Sequence, residues 1–71
     1  MKVMIIGGGK VGTYLAEKLL AEKHEVRLIE IREEERSHIL QDLPSKALYI
    51  GNGTDPDTLE AAGIRNMDVV A

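Results

Sequence analysis

Three glycines and one acid stand at spacings that suit a phosphate ester and its sugar. Gly7, Gly9 and Gly12 make a G-x-G-x-x-G pattern inside the run Gly7-Gly8-Gly9-Lys10-Val11-Gly12, and Glu30 stands 18 residues beyond Gly12. A turn of this kind makes or breaks no bond; it presents backbone N–H groups to an anion. Gly7 permits a tight turn, Gly9 lets amides approach a pyrophosphate with no side chain in the way, and Gly12 lets the following helix pack closely on a strand. Gly12 is thus structural rather than contacting. The first amides of a helix lack intrahelical acceptors and carry partial positive charge, so an anion is favoured there. Glu30 lies near the ~20-residue offset of an acid that accepts hydrogen bonds from an adenosine ribose. A carboxylate there repels a 2′-phosphate, which favours NAD over NADP.

Lys10 places a cation in the first turn of the helix, where the dipole opposes it by about 0.3–1 kcal/mol. It either pairs with a ligand phosphate or extends into water. Arg32 has the same two readings, along an adenine rim or as a solvated charge. Thr54, Asp55 and Asp57 form either an acidic site or the cap of a helix, and capping accounts for both carboxylates. His24 reads as a solvated turn residue. Tyr49 reads as strand packing, while Tyr14 has a place on either helix face. The chain has no nucleophile beside a base, no catalytic carboxylate pair and no metal-ligand cluster.

The elements that must position these residues follow from apolar periodicity. Lys2–Ile6 is an extended apolar run, Val11–Lys23 carries apolar Val11, Leu15, Ala16, Leu19 and Leu20 at helical spacing, and Val26–Glu30 is a second strand. Arg32–Leu43 reads as a second helix with Glu33, Glu34 and Glu35 at its favourable end, stopped by Pro44-Ser45. Ala47–Ile50 is a third strand, followed by the loop Gly51–Thr54. Asp55 and Pro56 open a short third helix that Gly63 closes, and Asp68–Ala71 begins a fourth strand. The order is β-α-β-α-β-α-β. Right-handed crossovers then require a Rossmann-like α/β fold with a parallel sheet in the order 3-2-1-4. Strands 5 and 6 of a complete doubly wound domain are not in this sequence, so residues 1–71 read as the N-terminal part of a dinucleotide-binding domain. The fourth strand leaves an apolar edge, and such an edge calls for a cover: more chain or self-association.

Composition narrows the partners. Twelve acids against nine bases give a net charge of −3 with no basic stripe, which argues against nucleic acid. Apolar runs are far shorter than the ~20 residues of a membrane span, so direct insertion is not expected and any membrane role passes through a partner. With 71 residues and no cysteine, neither a large core nor a disulfide staple is available.

The combination G-G-G-K-V-G-T-Y-L-A-E-x-L, the acid Glu30 and the later G-N-G-T-D-P-x-x-L-x-x-A-G-I-x-x-x-D resembles the nucleotide-binding lobe of the Trk-type potassium-uptake regulators, also called TrkA-N, KTN or RCK domains. The resemblance runs from Met1 to Ala71, and the segment Gly51–Asp68 carries most of its specificity. It implies NAD(H) as ligand, ATP or ADP in some members, a cytoplasmic place against a potassium channel or transporter subunit, and assembly into dimers or rings. It puts the pyrophosphate over Gly7 to Val11, the ribose on Glu30, and Asn52 where the family most often has an aspartate near the adenosine. The function it implies is regulatory and non-enzymatic, with nucleotide binding biasing the ring's shape and so gating the membrane subunit. Two other readings stand beside it: the coenzyme-binding half of an NAD-dependent oxidoreductase, and an assembly lobe without a ligand.

Overall fold

A computed structural model describes residues 1–71 and forms a four-stranded, fully parallel sheet in the order β3-β2-β1-β4. The strands are β1 (Lys2–Ile6), β2 (Glu25–Glu30), β3 (Leu48–Ile50) and β4 (Val69–Val70). The helices are α1 (Lys10–Ala21), α2 (Arg36–Ile39) and α3 (Pro56–Ala61). This is the α/β topology that the alternation of elements requires.

Strand alternation divides the interior in two. Val3, Ile5, Val26 and Leu28 face α1 and α2 and pack with Ala16, Ile39, Leu43 and Leu48, whereas Met4 and Ile29 face the other way and pack with Ala62. A parallel strand covered on both faces needs apolar residues at nearly every position, and β1 supplies them. In β2 the polar residues are Glu25 and Glu30 at the two ends and Arg27 between them. Arg27 Nη1 donates to the Ala62 carbonyl at 3.0 Å, satisfying a carbonyl at the end of α3 that has no helical donor.

Three elements depart from the sequence reading. The helix expected over Arg32–Leu43 is a 3-10 turn at Glu33–Glu35 and a single α turn at Arg36–Ile39. Glu33 does not cap it but pairs with Arg36 at 2.9 Å, so the glutamate run is held locally rather than by a long helix dipole. Ala47 belongs to a 3-10 turn before β3 rather than to the strand, and β4 is two residues long. On α1, Val11 is 82 % exposed and Leu15 is also exposed, while Ala16 is fully buried. The helix therefore sits toward β2, and Val11 and Leu15 flank the β1–β4 side instead of covering the sheet.

Helix α1 ends in a way the sequence conceals. Lys23 adopts a left-handed backbone, φ 69°, its N–H bonds the Leu20 carbonyl at 2.9 Å, and the His24 N–H bonds the Leu19 carbonyl at 3.0 Å. This paired arrangement ordinarily takes glycine, because a Cβ in the left-handed region costs about 1–2 kcal/mol. Lys23→Gly is expected to raise stability by about 0.5–1 kcal/mol, after the extra entropy of an unfolded glycine is set against the relieved strain. Urea unfolding checks this, and a lower midpoint would contradict it.

Candidate nucleotide-binding site

The glycine turn leaves β1 at its carboxyl end, and each glycine meets a different constraint. Gly7 has φ 101° and its N–H bonds the Ile29 carbonyl at 2.9 Å, tying the turn to β2. A Cβ on Gly12 would lie 2.2 Å from the Gly7 carbonyl oxygen, so the helix and the turn touch through backbone alone. A Cβ on Gly9 would meet nothing within 4 Å. Glycine is thus required at Gly7 by its backbone angle and at Gly12 by lack of space, while Gly9, like Gly7, has open space where a Cβ would stand.

Gly9 is the residue that caps α1, with no side-chain hydrogen bond at the cap and no acidic residue in the first turn. The first intrahelical bond at this end runs from the Thr13 N–H to the Gly9 carbonyl at 2.9 Å. The amides of Lys10, Val11 and Gly12 precede it and have no intrahelical acceptor. No acid of the first turn neutralises the positive end of the dipole, and Lys10 adds a cation to it, although Glu17, Glu35 and Asp42 also line the groove beside it. A groove of about 190 Å³ runs from Gly8 and Gly9 past Lys10 and Tyr14 to His38 on α2.

Glu30 closes β2 and is only 3 % exposed. Its Oε1 accepts from the Gly8 N–H at 3.1 Å, and its Oε2 accepts from the Arg32 N–H at 2.8 Å and from Arg32 Nε at 3.1 Å. Three donors occupy sites on a group that offers about four, so one acceptor position, on Oε1, has no donor within the chain. Arg32 is half exposed and serves as the counterion of Glu30, so it is not simply a solvated charge. Burial on its own would raise the Glu30 pKa, but the Arg32 amide and guanidinium together with the Gly8 amide outweigh it and hold the carboxyl below its ordinary value.

That lowered pKa sets a pH dependence. The unfolded state takes up the proton more readily than the folded state, so Glu30 contributes stability that is fully present above the ordinary glutamate pKa and is lost as pH falls through the lowered folded value. Glu33, held down by its hydrogen bond to Arg36, acts in the same direction but from an exposed position. Urea midpoints are expected to fall from neutral pH toward about pH 3, with a shallower fall in Glu30→Gln. An identical slope in the variant would show that the carboxylate does not supply it.

The loop after β3 lies across the ends of β1 and β2. The Gly51 N–H bonds the Glu30 carbonyl at 2.8 Å, and a Cβ on Gly53 would stand 2.5 Å from Ile6 Cγ2. Asn52 Oδ1 accepts from the Thr54 amide at 2.9 Å and from the Thr54 hydroxyl at 2.7 Å, which fixes the loop and leaves the Asn52 amide nitrogen free of side-chain partners. Asp55 caps α3 by accepting the Asp57 N–H at 3.0 Å, the capping reading of those acids. Tyr49 packs against the second core cluster, while Tyr14 is exposed on α1 with Lys18 Nζ 5.9 Å from its ring. His24 lies in the turn between α1 and β2, partly exposed, with Nδ1 3.0 Å from the Met1 amine.

The structure gathers Gly7 to Val11, Glu30 and Asn52 at one end of the sheet. Sequence reasoning missed Thr13, whose hydroxyl donates to the Gly8 carbonyl at 2.7 Å. A threonine one residue past the last glycine of the pattern is the only signal, and alone it reads as an ordinary helix residue.

A parallel sheet in this order, with a glycine turn opening the first helix and an acid closing the second strand, defines a dinucleotide-binding type of α/β fold. Residues 3–71 match the TrkA-N domain, and the chain belongs to that family. It is 45 % identical over 69 residues to a Trk system potassium uptake protein TrkA homolog of Methanothermobacter thermautotrophicus, covering 97 % of this chain and 32 % of that protein. A TrkA homolog of Pyrococcus abyssi is 37 % identical over 71 residues, all of this chain and 31 % of that protein. The Trk system potassium uptake protein TrkA of Vibrio alginolyticus is 33 % identical over 70 residues, 99 % of this chain and 15 % of that protein. The chain thus spans about a third or less of the relatives it matches. No helix is long and apolar enough to cross a membrane.

Proposed function

We propose that residues 1–71 form the N-terminal part of a nucleotide-sensing, non-enzymatic lobe of a potassium-uptake system. The lobe binds NAD(H), with ATP or ADP as the alternative ligands, and passes its state to a potassium channel or transporter subunit from the cytoplasmic face of the membrane. The observation that carries this is the open, acid-free first turn of α1 beside a buried carboxylate, in a chain of the TrkA-N family. In this reading the amides at Gly9, Lys10 and Val11 take the pyrophosphate, Gly7 and Gly8 shape the turn, the free Oε1 site of Glu30 takes a ribose hydroxyl, and the Asn52 amide faces the adenosine. Assembly into a dimer or ring makes the output a population shift, set by how much better the nucleotide binds one assembly state.

Calorimetric titration of the full protein with NAD, NADH, ATP and ADP tests the reading, and binding by none of them overturns it. Steady oxidation of NADH with carbonyl substrates would favour an oxidoreductase instead.

Lys10 supplies a sharper prediction. Replacing it with alanine removes a cation that the helix dipole opposes, so the ligand-free fold is expected to gain up to about 1 kcal/mol. Nucleotide affinity should move the other way, about tenfold weaker, because a charged partner of a phosphate is lost. Unchanged affinity would remove Lys10 from the site.

A further inference from the structure

We propose that Glu30 is a positioning residue for the phosphate-facing turn, acting through the Gly8 peptide, and that it works there together with Thr13. The proposal rests on the nucleotide reading above and assigns the same site a second layer.

Gly8 is held through both of its flanking peptide groups. Its N–H donates to Glu30 Oε1 at 3.1 Å and its carbonyl accepts from Thr13 Oγ1 at 2.7 Å. The fit is close: a Cβ on Gly8 would stand 2.6 Å from Glu30 Oε1 and 3.2 Å from Ile39 Cδ1. With Gly7 tied to β2 through its own amide and Gly8 clamped, the turn's orientation is settled before Gly9 begins. The amides from Gly9 onward are then the ones free to converge on an anion, and they are aimed by residues that do not touch it.

The chemistry of Glu30 makes this separable from ribose recognition. A carboxylate offers acceptors on both oxygens, and here both are needed, one for Gly8 and one for the two donors of Arg32. Glutamine has a single carbonyl oxygen. Set toward the two Arg32 donors, that oxygen leaves its NH₂ facing the Gly8 N–H, donor against donor, and the turn is released. Neutralising an acid near an anion site would by itself strengthen anion binding. Loss of turn positioning weakens it. The two effects have opposite signs on a ligand that carries no ribose.

The experiment titrates the full protein with inorganic pyrophosphate, reading the amide signals of Gly8 and Gly9 by NMR after selective glycine labelling. In Glu30→Gln the Gly8 amide signal is expected to shift upfield and pyrophosphate to bind about fivefold more weakly, as the loss of one charge-assisted hydrogen bond behind the turn implies. Thr13→Val, which leaves every charge in place, should weaken pyrophosphate in the same direction. It also carries the test if Glu30→Gln does not fold. Equal or tighter pyrophosphate binding in Glu30→Gln, an unmoved Thr13→Val, or a wild-type turn that ignores pyrophosphate each overturns the proposal. Titration of the wild type with NAD, NADH, ATP and ADP separates the two layers. Pyrophosphate effects without nucleotide binding uphold the positioning role and sink the sensor reading, and nucleotide binding with pyrophosphate untouched by Glu30→Gln does the reverse.

Discussion

Gly12→Ala is expected to unfold the domain or to lower its stability by about 3 kcal/mol or more, the high end of what overpacking does. The added Cβ would lie 2.2 Å from the Gly7 carbonyl oxygen and 3.4 Å from the carbonyl carbon. Carbon and oxygen in contact need about 1 Å more than that. Relief has to come from backbone, because no flexible side-chain end is involved. Gly7 cannot yield: its N–H is bonded to Ile29, and its φ of 101° already holds it where few other residues go. The helix must lift instead, and α1 carries the fully buried Ala16 into the larger core cluster. A chain of this size has a stability of only about 4–11 kcal/mol at the usual 0.05–0.15 kcal/mol per residue. Urea unfolding followed by circular dichroism measures the loss. A midpoint within error of wild type would mean that the close approach of α1 to β1 is not a requirement of the fold.

The sequence makes the frame legible and the clamps illegible, for a physical reason. Strand and helix order follow from apolar period and from the punctuation of Gly, Pro and Asp, and β1, α1, β2, α3 and the sheet order 3-2-1-4 all appear where those signals stand. Periodicity failed at Arg32–Leu43, where Ile39, Leu40 and Leu43 have helical spacing but the chain makes one α turn and then irregular hydrogen-bonded turns up to Leu43. The apolar residues there are anchored by the sheet rather than by a continuing helix. It failed also at Val11 and Leu15, which share a helical stripe with Ala16 but lie beyond the part of the sheet that α1 covers.

The site divides in the same way. Gly7, Gly9, Gly12 and Glu30 are legible because each answers a steric or electrostatic need that spacing alone expresses. Thr13 to Gly8, Arg32 to Glu30 and Gly53 against Ile6 depend on side chains and loops meeting in space. The Gly51–Asp68 segment carries the family's pattern, and its physical content now has a form. Gly53 lets the loop cross the end of β1, Asn52 and Thr54 fix it, Asp55 starts α3, and Gly63 with φ 92° ends that helix. Few of these residues need touch a ligand to be required, since most of them shape the rim on which one would rest.

Gly9→Ala should do the opposite of Gly12→Ala, leaving the fold in place and abolishing most nucleotide binding. Gly9 has φ −52° and ψ −176°, at the margin of the extended region and not in the left-handed one, and its Cβ would meet no atom within 4 Å. Alanine caps a helix less well than glycine, so a loss of no more than about 1 kcal/mol is expected. The methyl group would project into the open space beside the first amides of α1, where a pyrophosphate must come within hydrogen-bonding distance of backbone. A ligand held about 1 Å too far from its donors forfeits most of several charge-assisted bonds, and a hundredfold loss of affinity is about 2.7 kcal/mol. The pair of alanine variants therefore separates two jobs that the motif assigns to chemically identical residues three positions apart. Calorimetry with NADH and urea unfolding on both variants give four numbers, of which the decisive one is the affinity of Gly9→Ala. If that variant binds nucleotide as tightly as wild type while folding normally, the open end of the turn is not where the phosphates lie, and the ligand site has to be sought elsewhere on the sheet's carboxyl rim.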